Sequence, residues 1–295
     1  MLAVKTKKNP EKHKNYILSY STMKSLLDLE QTLSIAKKIA QEAGDCILSY
    51  YDKEYSVKIK ENDTLNVVTQ VDKKAEKIIL SQLHKNFPTH HFISEETKVP
   101  SIPSSAYVWI IDPMDGSRDF VNKTGDFAVQ IGLCKNGKIL LSVVYLPYYN
   151  KMFYACVGKG AFCNDERILI SDRKTLSKCI AVVSSRIKID SEVQKIYKAI
   201  PTKKLEIRGS FGLKTCFIAN GVYDLVIYKK KSVKIWDVCA PLLILQEAGG
   251  MGTLLDGSPI PLNPTILDYS QPIILSNGEI HQQILQILRK KNIGE

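Results

Sequence analysis

No run of apolar residues in this chain approaches the roughly 20 needed to cross a bilayer, so no transmembrane segment is expected. The Lys-rich N-terminus is not followed by an apolar stretch, and no secretory signal is expected either. Cysteine is scarce and unpatterned: seven residues, an odd number, with no C-x-x-C among them. Cys46, Cys134, Cys156, Cys179, Cys216 and Cys239 sit mostly in apolar surroundings and read as buried thiols of a reducing compartment. A cytoplasmic location follows, with a peripheral position at the inner face of the membrane left open. Repeats are absent, and acid is in short supply. Asp and Glu total 30 against 41 Lys and Arg, a formal net charge of +11. Such an excess admits nucleic acid, an acidic membrane or a small anionic substrate. The lysines are scattered, with no basic stripe interleaved with aromatics, so no nucleic-acid partner is expected. With 295 residues, 44% hydrophobic and 24% charged, the chain suits one or two globular domains with a sizeable core.

What is present is organised around one stretch, Trp109-Ile110-Ile111-Asp112-Pro113-Met114-Asp115-Gly116-Ser117-Arg118-Asp119-Phe120. Tyr107 to Ile111 is an aromatic and β-branched run and predicts a buried strand. Pro113 has no N–H to give a ladder, so the strand is expected to end at Asp112. Asp115 follows three residues later, and Gly116-Ser117 supplies a turn and a hydroxyl. Two carboxylates on a stiff turn at a strand end suit a hard divalent cation, which takes oxygen ligands. The backbone N–H groups that follow are then available to an anion. An ordinary Asp-Pro/Asp-Gly surface turn accounts for the same residues.

Residues 1–23 show no periodicity and read as a flexible N-terminal extension. Leu29, Leu33, Ala36, Ala40, Ala43 and Ile47 recur at spacings of three and four, which predicts an amphipathic helix over Asp28–Tyr51. Thr69 and Asp72 have capping-box spacing at the head of a helix through Ala75, Ile79 and Leu83. By capping chemistry alone Asp72 is a helix N-terminal acid. Phe92 to Ser94 reads as a short strand presenting Glu95-Glu96, either a repeat of the Asp112 pattern or a solvated acidic pair. Strands are expected over Phe127–Cys134 and Ile139–Leu146, joined by the hairpin signal Asn136-Gly137, with a third over Lys151–Val157. From Cys179 onward strands and helices alternate, as in an α/β half. Arg208-Gly209-Ser210 lies at a strand-to-helix junction, where backbone N–H groups either receive an anion or are capped. Trp236-Asp237 precedes Pro241, expected in the first turn of a helix that ends at Gly249-Gly250. The expected organisation is the extension over 1–23, an α+β metal-binding domain over 24–165 and an α/β substrate-binding domain over 166–295.

The Glu95-Glu96 pair, the D-P-x-D-G-[ST] motif at Asp112–Ser117 and the W-D motif at Trp236-Asp237 stand in a telling order. From about Leu29 to about Gly252 the chain resembles the inositol monophosphatase superfamily of metal-dependent sugar and nucleotide phosphatases, which carries these three motifs at similar separations. Arg118-Asp119-Phe120 and Thr124-Gly125-Asp126-Phe127 look like the 3'(2'),5'-bisphosphate nucleotidase branch. The resemblance implies a layered αβαβα sugar-phosphatase-like fold, of α/β class, with the active site at the junction of an α+β N-terminal half and an α/β C-terminal half. It implies that Glu95, Asp112, Asp115, Asp237 and the Met114 carbonyl hold two or three Mg²⁺ ions. Asp72 and Ser117, with Glu95, would orient the attacking water; the family usually has Thr where Ser117 stands. Gly116, Ser117, Gly209, Ser210 and Lys230 would contact substrate. Tyr228-Lys229-Lys230-Lys231-Ser232 lacks the acid that inositol monophosphatases carry before the W-D motif. The expected reaction is therefore hydrolysis of the 3'-phosphate of adenosine 3',5'-bisphosphate to AMP and phosphate by metal-activated water, a step of sulfur metabolism. Inositol monophosphatase and sugar bisphosphatase remain alternatives. So does, from another class, a non-catalytic nucleotide- or nucleic-acid-binding protein. The expected partner is a small phosphorylated substrate such as a nucleotide bisphosphate, and the chain is read as either monomer or homodimer.

Overall fold

Alternation of side chains in the run from Tyr107 fixes the layering of the molecule. Val108 and Ile110 face one way, Trp109 and Ile111 the other, and all four are buried. That is the pattern of a strand covered on both faces. The computed structural model describes residues 20–60, 63–96, 102–103, 106–188, 190–229, 233–263 and 268–292. In chain order the first half comprises α1 (Tyr20–Leu48), β1 (Val57–Lys60), β2 (Asp63–Thr69), α2 (Gln70–Asn86), β3 (His91–Ser94), β4 (Tyr107–Asp115), α3 (Ser117–Val121), β5 (Ala128–Lys135), β6 (Lys138–Leu146), β7 (Lys151–Cys156), β8 (Gly160–Cys163) and β9 (Glu166–Ile168). The second half comprises β10 (Ile180–Val183), α4 (Ser191–Ala199), β11 (Lys204–Ile207), α5 (Phe211–Ala219), β12 (Leu225–Tyr228), α6 (Ile235–Glu247), β13 (Met251–Leu254), β14 (Ile273–Ser276) and α7 (His281–Lys290).

Strands β3 to β9 form one seven-stranded sheet in sequence order, parallel between β3 and β4 and antiparallel thereafter. A five-stranded mixed sheet has the order β11-β10-β12-β14-β13. Ala36, Ala40 and Ala43 of α1 and Ala75, Ile79 and Leu83 of α2 bury against the Trp109 face of the large sheet. Its other face packs on α5 and α6, which also cover Val182, Val226 and Leu275 of the small sheet. Val183, Leu225 and Ile274 point to the far side, where α4 and α7 close the stack. The five layers are thus α/β/α/β/α, as expected. Among the described residues no helix is long and apolar enough to cross a membrane.

Several details differ from expectation. α1 starts at Tyr20, inside the stretch read as an extension, and stops at Leu48; residues 1–19 lie outside the described residues. β4 does not end at Pro113 but runs to Asp115 through a bulge, with Asp112 opposite Gln130 and Asp115 opposite Ala128. Three steps on β4 therefore face two on β5, and Pro113 occupies the bulge, where no ladder N–H is required. Pro241 falls in the second turn of α6, not the first, and Asp237 is the third helical residue. Strands β8 and β9 were not expected. Their turn, Asn164-Asp165, is left-handed at both residues (φ 49° and 69°), as is Asn136-Gly137 (φ 53° and 70°). An Asp in place of the usual Gly conceals that hairpin.

His281 at the head of α7 is fully buried. Its Nδ1 lies 2.8 Å from Ser276 Oγ and its Nε2 2.8 Å from Thr253 Oγ1, tying α7 to β13 and β14. Burial pulls the imidazole pKa down from 6.5 to about 4. The unfolded chain therefore binds a proton that the native state refuses between those limits. The stability is fully present above pH 6.5 and is lost as pH falls toward 4. In urea titrations, His281 is expected to remove about 2 kcal/mol of unfolding free energy between pH 7 and pH 5. His281→Asn should flatten that slope.

Candidate active site

The bulge delivers two carboxylates from one strand to one cleft. Glu95 after β3, Asp112, Met114 and Asp115 of β4, and Gly116 and Ser117 at the start of α3 form one wall. Gly209, Ser210 and Lys214 around the head of α5, Lys229 after β12 and Asp237 in the first turn of α6 form the other. Asp112, Asp115 and Asp237 each bring a carboxylate oxygen within 4.8 Å of the others. Glu95 lines the same cleft outside that group. Burial first, then the neighbouring acids Glu95 and Asp115, push the Asp112 carboxyl far above the ordinary carboxylate range. Asp237 is raised in the same way, by burial and then Asp115, with partial relief from the Lys234 N–H that donates to its Oδ2 at 2.5 Å. The donors are all oxygens, and the acids disfavour one another's charge in the absence of a cation. Both facts fit a hard divalent ion such as Mg²⁺.

Asp72 does not line the cleft but supports it from behind. It caps α2 as expected: Thr69 donates to its Oδ2 from both N–H (2.7 Å) and Oγ1 (2.6 Å). The other oxygen, Oδ1, accepts the Ser117 hydroxyl, which also lies 3.0 Å from the Met114 carbonyl. Burial raises the Asp72 pKa, opposed by these hydrogen bonds from Ser117 and Thr69. Gly116 must be glycine: its φ is +95°, and a Cβ there would meet the Asp126 carbonyl at 2.5 Å.

The Arg208-Gly209-Ser210 turn, read as either an anion site or a helix cap, caps α5, with Ser210 Oγ accepting from the Leu213 N–H at 3.0 Å, and its donors meet the protein's own carboxylates. Gly209 N–H donates to Asp126 Oδ2 (2.9 Å), while Ser210 Oγ (2.5 Å) and Gly212 N–H (2.6 Å) both donate to Asp115 Oδ2. Arg208 turns away from the cleft toward Tyr223 Oη (3.1 Å) and Asp126 (3.4 Å). Lys230 lies outside the described residues. Its neighbour Lys229 lines the cleft but pairs with Asp190 at 2.5 Å and Glu192 at 3.7 Å. Sequence reading missed Lys214, which is fully buried and donates to the carbonyls of Gly209 (2.8 Å) and Ser210 (2.6 Å). The signal was available, since Lys214 is the sole charge in an otherwise apolar helix. Its pKa is lowered by burial and pulled back up by Asp115 and Asp119. Asp119, which also lines the cleft, is pushed up to about 6 by burial, with Lys214 opposing.

Residues 28–292 match the profile of the inositol monophosphatase family. The chain belongs to that family. A fructose-1,6-bisphosphatase/inositol-1-monophosphatase of Aquifex aeolicus is 32% identical over 268 residues, 89% of this chain and 97% of the relative. The solved structure of a Thermotoga maritima IMPase superposes with a TM-score of 0.79 at 28% identity, covering 90% of this chain and all of that one. Another, described as an IMPase/NADP phosphatase complexed with Mg²⁺ and phosphate, superposes at 0.77 and 25% identity, covering 88% and 96%. The inositol monophosphatase family is one of metal-dependent phosphatases, and the layered fold is shared with these neighbours. The nucleotidase branch is not what these relatives are named for.

Of the two glycines lining the cleft, Gly209 has the less room, because a Cβ would lie 2.1 Å from the Asp119 carboxyl carbon. Gly209→Ala must displace that carboxyl or the head of α5. It is expected to cost about 1–3 kcal/mol in urea unfolding and to lower kcat/KM in the same preparation.

Proposed function

We propose that the chain is a Mg²⁺-dependent phosphomonoesterase acting on a small polyol or sugar phosphate, with inositol monophosphates and sugar bisphosphates as first candidates. One observation carries this reading: three Asp carboxylates converge beside a hydroxyl gripped by a buried fourth. The names of the relatives support it. Glu95, Asp112, Asp115, Asp237 and the Met114 carbonyl would hold the two or three ions. When bound, Mg²⁺ supplies neutralisation of the phosphate oxygens and acidification of water.

The rest is done by the chain's own groups. The Ser117 hydroxyl donates its hydrogen bond to Asp72 Oδ1, which leaves its oxygen lone pairs to accept one from water, and as the water proton passes to Ser117 the hydroxyl proton passes to Asp72. Thr69 fixes the other Asp72 oxygen, so the hydroxyl has one orientation. The raised pKa of Asp72 suits a group that takes up a proton during reaction. The Phe120 N–H is taken by the Gly116 carbonyl, while the preceding N–H groups of α3 carry no side-chain cap and would serve as donors for phosphate oxygens.

A second reading, the 3'-phosphate of adenosine 3',5'-bisphosphate as substrate, is favoured by one observation. Lys214 and Lys229 line the same cleft, and Tyr228-Lys229 brings no acid to it. Lys214 stands beside Asp115 and Asp119 and Lys229 is paired with Asp190, and the positive charge they add to the cleft wall favours a substrate with a second anionic group. Phosphate release should be measured side by side for inositol 1-phosphate, fructose 1,6-bisphosphate and adenosine 3',5'-bisphosphate. The expected result is Mg²⁺-dependent turnover, highest kcat/KM on a polyol or sugar ester, and none in excess chelator. A preference for the nucleotide would shift the assignment to the second reading, and turnover in chelator would overturn both. Ser117→Ala is expected to lower kcat by about 100-fold with little change in KM, and Ser117→Thr to retain activity. Wild-type kcat in Ser117→Ala would remove the role given to that hydroxyl.

A further inference from the structure

Directly across the β4–β5 ladder from Asp112 stands Gln130. Paired residues on adjacent strands share a face, with Cβ atoms about 5 Å apart. Gln130 is fully buried, and neither its Nε2 nor its Oε1 has a hydrogen-bond partner in the protein. Its Oε1 reaches α5, lying 2.8 Å from where a Cβ on Gly212 would be. Gly212 is the residue whose N–H holds Asp115. One strand further on, Ser142 of β6 pairs with Gly132 and so lies diagonal to Gln130 on the same face. It too is fully buried, with an unpartnered Oγ. Asp112, Gln130 and Ser142 thus form a polar track across three strands, in a layer otherwise filled by residues such as Ile110, Val144 and Phe153.

Burying an unpaired amide costs about 1–3 kcal/mol, and an apolar residue of equal size would avoid that cost. Internal water commonly satisfies such groups where several polar partners converge. Here Asp112, Gln130 and Ser142 lie on one face of three neighbouring strands, and Asp112 lines the cleft. We propose that Gln130, backed by Ser142, is a positioning residue for the metal site. Its amide holds the Asp112 carboxylate in its ligating orientation through an internal water. This rests on the Mg²⁺ site proposed above. Gln130 touches neither substrate nor ion and acts only through Asp112.

The test is calorimetric titration of metal-stripped protein with MgCl₂, together with thermal unfolding in chelator. Gln130→Met keeps side-chain volume and removes the amide. It is expected to bind Mg²⁺ about 10-fold more weakly, while its Tm in chelator is unchanged or higher. A merely structural glutamine predicts the reverse, a lowered Tm with unchanged Mg²⁺ affinity. Wild-type affinity in folded Gln130→Met would overturn the inference. If Gln130→Met does not fold, Ser142→Ala is read in its place: weakened Mg²⁺ binding supports the inference and wild-type affinity overturns it. Absence of Mg²⁺ uptake by the wild-type protein would overturn the metal site as well, which separates the two failures.

Discussion

Carboxylates crowded together away from water repel, and the open end of β4 is arranged around that repulsion. Each of the three clustered acids is given backbone N–H donors: Met114 for Asp112, Gly212 for Asp115 and Lys234 for Asp237. Among the described residues none of the three has a Lys or Arg within ion-pair distance. Hydrogen bonds to a charged group contribute about 1.5–3 kcal/mol each. Desolvating a carboxylate costs several. The donors orient the acids without neutralising them, which leaves the neutralising role to a divalent cation. A lysine ammonium tethered in the same place would occupy the position that a cation must enter.

The repulsive cluster is also where the two halves of the chain meet. Asp115 leaves β4 and is held by the head of α5. Asp126, just before β5, holds Gly209, Arg208 and Tyr149. Apart from the Tyr149 hydrogen bond, these contacts join residues more than 80 positions apart. Ser210 pays for this junction with a left-handed backbone (φ 46°), steadied by the Lys214 ammonium on its carbonyl. Catalytic geometry and inter-half packing are therefore one set of interactions, and loosening either loosens the other.

How much of this the sequence disclosed depended on the range of the interaction. Local rules were legible: the three-and-four spacing of α1, the Thr69–Asp72 capping box, the Asn136-Gly137 hairpin and the apolar strand running into Asp112. The cleft itself was legible only because Glu95, the Asp112–Ser117 motif and Trp236-Asp237 resemble a known set, since nothing in their local patterns says that they converge. Interactions between distant acids and amides were not legible. Gly209 and Ser210 read equally as an anion site or a helix cap, and the acids they meet, Asp126 and Asp115, lie too far away in sequence for a local pattern to show. Pro113 misled for a related reason, since a rule for regular ladders was applied to a bulge.

That bulge has a further meaning for how the chain can vary. Side chains on a regular strand alternate with period two, so residues an odd number apart point to opposite sides. Asp112 and Asp115 are such a pair, and only the extra residue on β4 brings both to the cleft. Losing the extra residue would leave both acids on one face of a regular strand but would remove the bulge, and with it the Met114 N–H that holds Asp112 and the Met114 carbonyl beside Ser117. Exchange of side chains at 113 and 114 is a matter of degree, whereas a change in their number is not.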